Sequence, residues 1–148
     1  MNTHPYLRAY MAGIVVPTML LLVAMTVFCV TRYVFQIPVP IERVIVFPMA
    51  LVPNLFGVWN MFYVWLRPRP HLSIGFHGAL LPFVLAPIAF TITTSLGILE
   101  VTSRGFILFQ AITIHYSFAA TGFLCALMIY YLVWKYLVGF FNELLGIV

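Results

Sequence analysis

Four long runs without a charged residue divide the chain, and the few charged side chains lie only between or beyond them. The runs cover residues 9–31, 44–66, 70–99 and 105–134. Each exceeds the ~20 residues with which a helix crosses about 30 Å of hydrocarbon. Their polar residues recur at helical spacing rather than in the apolar–polar alternation of a membrane barrel. The pattern therefore predicts an all-α integral membrane protein, an antiparallel bundle of four transmembrane helices without strands.

The helices are expected over about 9–31, 44–66, 73–99 and 105–134, and residues 1–148 form one domain. If the last helix ran straight to the C-terminus, it would be ~60 Å long, about twice the bilayer core. We therefore expect a bend near Gly139 and a short helix over about 136–147 that lies in the membrane interface. The alternative is a straight overhang of the fourth helix that packs on a partner chain.

Composition agrees with a membrane location, since 64% of the residues are hydrophobic and only 7% are charged. In soluble domains about a quarter of the residues are charged. The net charge of +4 comes from cations spread over both predicted membrane faces. They form no basic stripe, so we expect the lipid bilayer as a partner and no nucleic acid.

The cations also give a prediction for orientation. They divide four to three between the two predicted faces: Arg8, Arg67, Arg69 and Lys135 on one, and Arg32, Arg43 and Arg104 on the other. Cytoplasmic loops carry the excess of Arg and Lys. By this margin of one cation, the N- and C-termini are expected on the cytoplasmic side of a cell membrane or of a bacterial or organellar inner membrane.

The second predicted helix carries two carboxamides, Asn54 and Asn60, in the stretch NLFGVWN. On a helical wheel they lie about 60° to either side of Gly57. Large apolar residues occupy the opposite face, so both amides are expected to point inward. The favoured interpretation is that they hydrogen-bond to other helices or to carbonyls freed by proline, at about 0.6 and up to ~2 kcal/mol each.

A row of small residues is expected along the fourth predicted helix, with His115 in the same row. Small residues allow helix backbones to approach closely. The predicted packing positions are Ala119, Gly122 and Ala126 on this helix and Gly57 on the second predicted helix. Residue counting from one membrane face places Asn54 and His115 at similar depths near the midplane, so a contact between these two side chains is geometrically possible.

Hydroxyl and amide groups gather where the third predicted helix ends and the fourth begins. They would line the water-filled vestibule of a channel or transporter, with the asparagines and the histidine at its constriction. The alternative is that the hydroxyls bond to carbonyls of their own helix. The candidate residues for this polar interior are Asn54, Asn60, Thr91, Thr94, Gln110, Thr113 and His115.

Little in the sequence points to catalysis or to a bound metal. Cys29 and Cys125 are isolated, no CxxC occurs, and the chain contains no aspartate. No catalytic residue and no metal site is therefore predicted. His77 and His115 are the candidate ligands for a haem b, but an axial offset of ~14 Å at 1.5 Å per residue disfavours one haem between them within a chain. Pairing across subunits or with His71 remains an alternative. We therefore expect no cofactor.

Three functional classes remain open from the sequence. The first is a non-enzymatic membrane protein that acts by association, as a homo-oligomer or as a subunit of a larger membrane complex. The second is a small oligomeric channel or transporter with a polar vestibule in one leaflet. The third is a protein that binds a cofactor, a quinone or a lipid. Association ranks first, because a chain with so few polar groups has little with which to perform chemistry.

Overall fold

The computed structural model describes residues 4–37, 41–67, 72–109 and 112–147, without the side chains of residues 41–48 and 50. Most of this part of the chain is helical. The helices are α1 (Pro5–Tyr33), α2 (Ile41–Leu66), α3 (Ile74–Ala79), α4 (Leu81–Ser95), α5 (Tyr116–Leu132), a π-helix (Val133–Val138) and α6 (Gly139–Leu144).

Three helical stretches are long and apolar enough to cross a membrane: Pro5–Tyr33, Ile74–Ser95 and Tyr116–Leu144. The second of these joins α3 and α4, and the third joins α5, the π-helix and α6. A shorter apolar stretch, Leu51–Leu66, lies in α2. The hydropathy pattern predicts four membrane crossings. The structure has three apolar helices of membrane-spanning length and a shorter one at these positions.

The segment between α4 and α5 is a small antiparallel sheet, so the all-α expectation is wrong at this point. Its strands are β1 (Leu99–Thr102), β2 (Gly105–Leu108) and β3 (Ile112–His115), in the order β1-β2-β3. The helix expected from residue 105 begins only at Tyr116. The strand sequences LEVT, GFIL and ITIH are rich in β-branched and aromatic residues, which favour extended backbone.

α1 and α2 form an antiparallel hairpin with the most extensive helix–helix contact in the described part of the chain. Glycines on both helices permit this approach. A Cβ on Gly13 would lie 2.6 Å from the carbonyl oxygen of Phe56, and one on Gly57 would overlap the ring of Tyr10. In the first hairpin, Gly13 therefore packs against the backbone of α2, and Gly57 packs against an aromatic ring of α1.

The second hairpin consists of the α3–α4 stretch and the long α5–π–α6 stretch. α3 packs on α5 and on the π-helix. At Gly78 a Cβ would overlap the indole ring of Trp134, so only glycine fits between α3 and the π-helix.

The two hairpins share one apolar core, which lies toward the end of the molecule that carries both chain ends. Its members are Val16, Phe56, Leu81, Leu85, Trp134 and Val138. No buried residue occurs from Thr18 to Tyr33 or along α5. Intramolecular packing is therefore concentrated in one half of the helical stretches.

The C-terminal residues continue α5 instead of forming a separate helix over 136–147. The π-helix leads directly into α6, and Gly139 has helical backbone angles (φ −56°, ψ −50°). Gly139 itself therefore continues the helix, and the interfacial position of residues 136–147 stays a prediction. α6 packs back against α1, because Asn142 is buried in a polar contact that holds this segment on the bundle.

Candidate functional site

A buried pair of carboxamides joins α2 to α6. Asn60 and Asn142 are both fully buried. Asn60 Nδ2 donates to Asn142 Oδ1 at 2.7 Å and to the carbonyl oxygen of Ala9 at 2.8 Å, and Asn142 Nδ2 donates to Asn60 Oδ1 at 3.1 Å. Buried polar groups are costly unless they are paired. This reciprocal pair therefore satisfies both amides and ties α1, α2 and α6 together.

Two arginines hold the C-terminal end of the chain on the same part of the bundle. Arg8 donates from Nη1 to the carbonyl oxygen of Leu145 at 3.3 Å, and Arg67 donates from Nη1 to the carbonyl oxygen of Ile147. The last carbonyls of a helix have no intrahelical donor and carry partial negative charge. Arg8 compensates that charge at the cap residue of α6 and Arg67 binds a carbonyl just beyond it, so the first and last described residues lie at one end of the molecule.

His77 lies in a box of aromatic side chains and is only 4% exposed. Its carbonyl oxygen accepts from Trp59 Nε1 at 2.9 Å, and its Nε2 is 3.1 Å from the Trp59 carbonyl oxygen. The two rings stack with centroids 5.0 Å apart. The other walls of this aromatic box are Phe62, Tyr63 and Trp134. The box fixes α3 against both α2 and the π-helix.

Trp134 is completely buried in the π-helix and belongs to both the apolar core and the aromatic box. Its indole Nε1 has no hydrogen-bond partner among the described residues. Such an orphaned donor costs about 1–3 kcal/mol. The fit of the ring against Gly78 and Phe56 offsets this cost through packing.

The two asparagines predicted on α2 have different surroundings. Asn60 is buried as described above, whereas Asn54 is exposed and accepts a hydrogen bond from the Tyr10 hydroxyl of α1 through Oδ1. His115 is the last residue of β3, is exposed, and pairs in register with Gly105. The structure therefore places Asn54 beside α1 and does not bring it together with His115.

The residues predicted to line a vestibule also lie in different surroundings. Thr91 donates to the Pro87 carbonyl oxygen at 2.9 Å and Thr94 to that of Phe90 at 2.7 Å, so both hydroxyls bond to their own helix. Thr113 is exposed in β3. Gln110 lies outside the described residues.

The predicted packing positions have equally distinct roles. Gly57 is buried against Tyr10, whereas Gly122 on α5 is exposed, and a Cβ at this position would have no atom of another element within 4 Å. Ala119 is half-buried, and Ala126 lines a cleft between the hairpins. Gly57 thus allows close packing between helices of the same chain, whereas Gly122 does not take part in such packing.

Two apolar clefts lie where the hairpins face each other, and we call this region the seam. One cleft, of about 230 Å³, is bounded by α1, α2, α5 and the π-helix. The other, of about 260 Å³, is bounded by α2, α4 and α5. Val52 and Tyr130 line both clefts, and among the lining residues that the structure describes only Tyr130 has a polar side-chain atom.

Sequence reasoning missed the partners that complete these contacts. It assigns the segment that contains Asn142 to an interfacial helix over about 136–147, and it names His77 as a candidate haem ligand. The glycines that flank the histidine in GFHG carry a usable signal, because Gly75 and Gly78 contact Tyr131 and Trp134. Within the described ranges, no group of three or more His, Cys, Asp or Glu residues forms a metal-binding cluster.

No protein family, curated protein or solved structure matches the chain.

Proposed function

We propose that the protein is an integral membrane protein that acts by association, as a homo-oligomer or as a subunit of a larger membrane complex. Its apolar stretches have the length to cross a bilayer. Large apolar side chains of α1 point outward, and Met19, Leu22 and Val23 are each at least 60% exposed. A continuous apolar surface of this kind requires lipid or a partner chain to cover it.

The exposed outer face of α5 is the main support for the proposal that the protein acts by association. None of its 17 residues is buried, and Gly122 is surrounded by open space while Phe118, one turn before it, is 74% exposed. Between helices in lipid, close packing at small residues drives association. Gly57 already serves this purpose within the chain, and Gly122 is free to serve it between chains.

The side-chain hydrogen bonds favour association over a channel. Thr91 and Thr94 direct their hydroxyls to their own helix carbonyls, an arrangement that leaves fewer groups to line a water path. The side-chain amide of Asn60 is hydrogen-bonded to Asn142 and to the carbonyl oxygen of Ala9. The polar atoms therefore contribute mainly to cohesion of the bundle.

The native cysteines provide a direct test of association. Cys125 is exposed on α5, one turn after Gly122. In membranes that contain the Cys29→Ser variant, mild oxidation is expected to yield a disulfide-linked product through Cys125. Gly122→Leu should reduce its yield by about tenfold, since adding a bulky side chain at a close-packed contact costs roughly 1–3 kcal/mol.

Thr121→Leu is the matched control, because it adds the same side chain to the neighbouring exposed position of α5. It should leave the yield unchanged. A product of twice the chain mass indicates a homo-oligomer, and another mass indicates a different subunit. If no product forms, or if both leucine variants behave alike, association through this face of α5 is wrong.

A further inference from the structure

The seam between the hairpins holds enough empty apolar volume for a ring-sized ligand. Its clefts measure about 230 and 260 Å³. An apolar cavity of about 150 Å³ is sufficient to bind benzene and remains free of water. Phe56 lines one cleft and Phe123 the other. The seam therefore suits an apolar, planar group rather than solvent.

Tyr130 lines both clefts and carries the one polar side-chain atom among their described lining residues. Its ring packs on Phe56, with centroids 5.6 Å apart. The hydroxyl makes no hydrogen bond to another described residue and is not fully buried, so it is open to whatever fills the seam. An unpaired hydroxyl in an apolar medium is costly, so a ligand in the seam gains by offering this hydroxyl an acceptor.

The depth of Tyr130 restricts the source of that acceptor. The residue lies midway along Tyr116–Leu144, ~21 Å from either end at 1.5 Å per residue. In a bilayer it is therefore near the midplane, whereas phospholipid headgroups begin ~15 Å away. An acceptor at this depth belongs to a molecule that is dissolved in the hydrocarbon core.

We propose that the seam binds an isoprenoid quinone, with one ring carbonyl accepting a hydrogen bond from the Tyr130 hydroxyl. The ring lies in one cleft beside Phe56 or Phe123, and the tail leaves through the open side of the seam into lipid. Val52, which lines both clefts together with Tyr130, sets the width available to the ring. The site rests on the bilayer placement proposed above and not on association through α5.

The test is a binding titration of the full-length protein in nanodiscs of a quinone-free phospholipid. The probe is decylubiquinone, a benzoquinone with one short apolar tail. Quenching of tryptophan fluorescence reports binding, because Trp134 packs on Phe56 at the edge of the seam. We expect saturable quenching above the linear background that quinone dissolved in the lipid produces.

Two variants separate the site from general membrane effects. Tyr130→Phe retains the ring and removes the hydroxyl, so affinity should fall by about fivefold to tenfold. Val52→Phe fills the seam and should abolish saturable quenching while the circular dichroism spectrum stays helical. Tyr131→Phe is the matched control, because Tyr131 packs on Phe76 away from both clefts, and it should bind as the native protein does.

Each contrary result overturns the proposal. The seam is not a quinone site if native protein shows only the linear background. Equal affinity of Tyr130→Phe and native protein would mean that the hydroxyl does not bind the carbonyl. Retention of a phospholipid by native mass spectrometry, undisplaced by the probe, would assign the seam to lipid. Gly122→Leu should bind the probe normally, so failure of the association proposal remains distinguishable.

Discussion

At the scale of single residues, the polar side chains of the described helices mainly hold the fold together. Asn60 and Asn142 satisfy each other, Asn54 accepts from Tyr10, and the threonines of α4 bond to their own helix. A protein with few polar groups in its helices thus uses them mostly for internal hydrogen bonds. Tyr130 is the described exception in the seam.

The amide pair yields a stability prediction. Asn142→Leu leaves the buried Asn60 with only the Ala9 carbonyl as partner, and Asn60→Leu leaves Asn142 with none. Each substitution should lower the free energy of unfolding by about 1–3 kcal/mol. Because the double variant leaves no orphaned amide, its loss should be smaller than the two single losses combined. Thermal unfolding in detergent, followed by circular dichroism, measures all three.

Asn54→Leu is the control for this series, since Asn54 is exposed. Its loss should be clearly smaller than that of either buried asparagine. Strict additivity of Asn60→Leu and Asn142→Leu would show that the two amides do not depend on each other.

The sequence predicts the face of α2 but not its partners. A helical wheel assigns Asn60 to the inner side because the opposite side is uniformly large and apolar. It carries no information on which neighbour approaches, and the partner of Asn60 is 82 residues away in the chain. Tertiary contacts of that range have no local signal, so sequence reasoning leaves Asn142 on a surface.

At the scale of elements, the sheet between α4 and α5 marks the limit of hydropathy reasoning. The run 105–134 is free of charge, but its first part is rich in β-branched and aromatic residues. Thr102 and Gly105 close the β1–β2 turn, where Gly105 has φ 159°. Absence of charge identifies an apolar segment without fixing its backbone, so the hydropathy pattern merges strand and helix into one predicted element.

The contact of α3 with the π-helix gives a second prediction. Gly78→Ala places a methyl group on the ring of Trp134, and overpacking of this kind costs about 1–3 kcal/mol. The thermal unfolding midpoint should therefore fall. Gly122→Ala makes the same chemical change in open space, and its midpoint should stay constant or rise slightly, because alanine is the better helix former. Equal midpoints for the two variants would contradict the close approach of α3.

At the scale of the whole molecule, the fold is two apolar hairpins joined at one end. The core, the amide pair and the arginine contacts with the C-terminal carbonyls all lie near that end. The sheet lies toward the other end, between α4 and α5. The number of apolar stretches is predictable because runs of some 20 apolar residues are a strong signal, whereas the joining of the hairpins depends on tertiary contacts.

Membrane insertion is the claim on which the proposed association and the quinone site both rest, and single-cysteine labelling tests it most directly. The background is Cys29→Ser with Cys125→Ser, and the reporters are His4→Cys before α1 and Ser103→Cys in the β1–β2 turn, both at exposed positions. The vesicles are sealed and uniformly oriented, and the reagent is a membrane-impermeant maleimide. The Cys29→Ser variant keeps Cys125 as its single cysteine. If α5 crosses the bilayer, Cys125 lies in hydrocarbon and should react only after denaturation.

We expect one reporter to react in intact vesicles and the other to react only after the vesicles are permeabilised. This follows because the start of α1 and the sheet lie at opposite ends of helices that we propose to cross the bilayer. Labelling of both reporters from the same side, with Cys125 equally reactive, would contradict membrane insertion and the two proposals built on it.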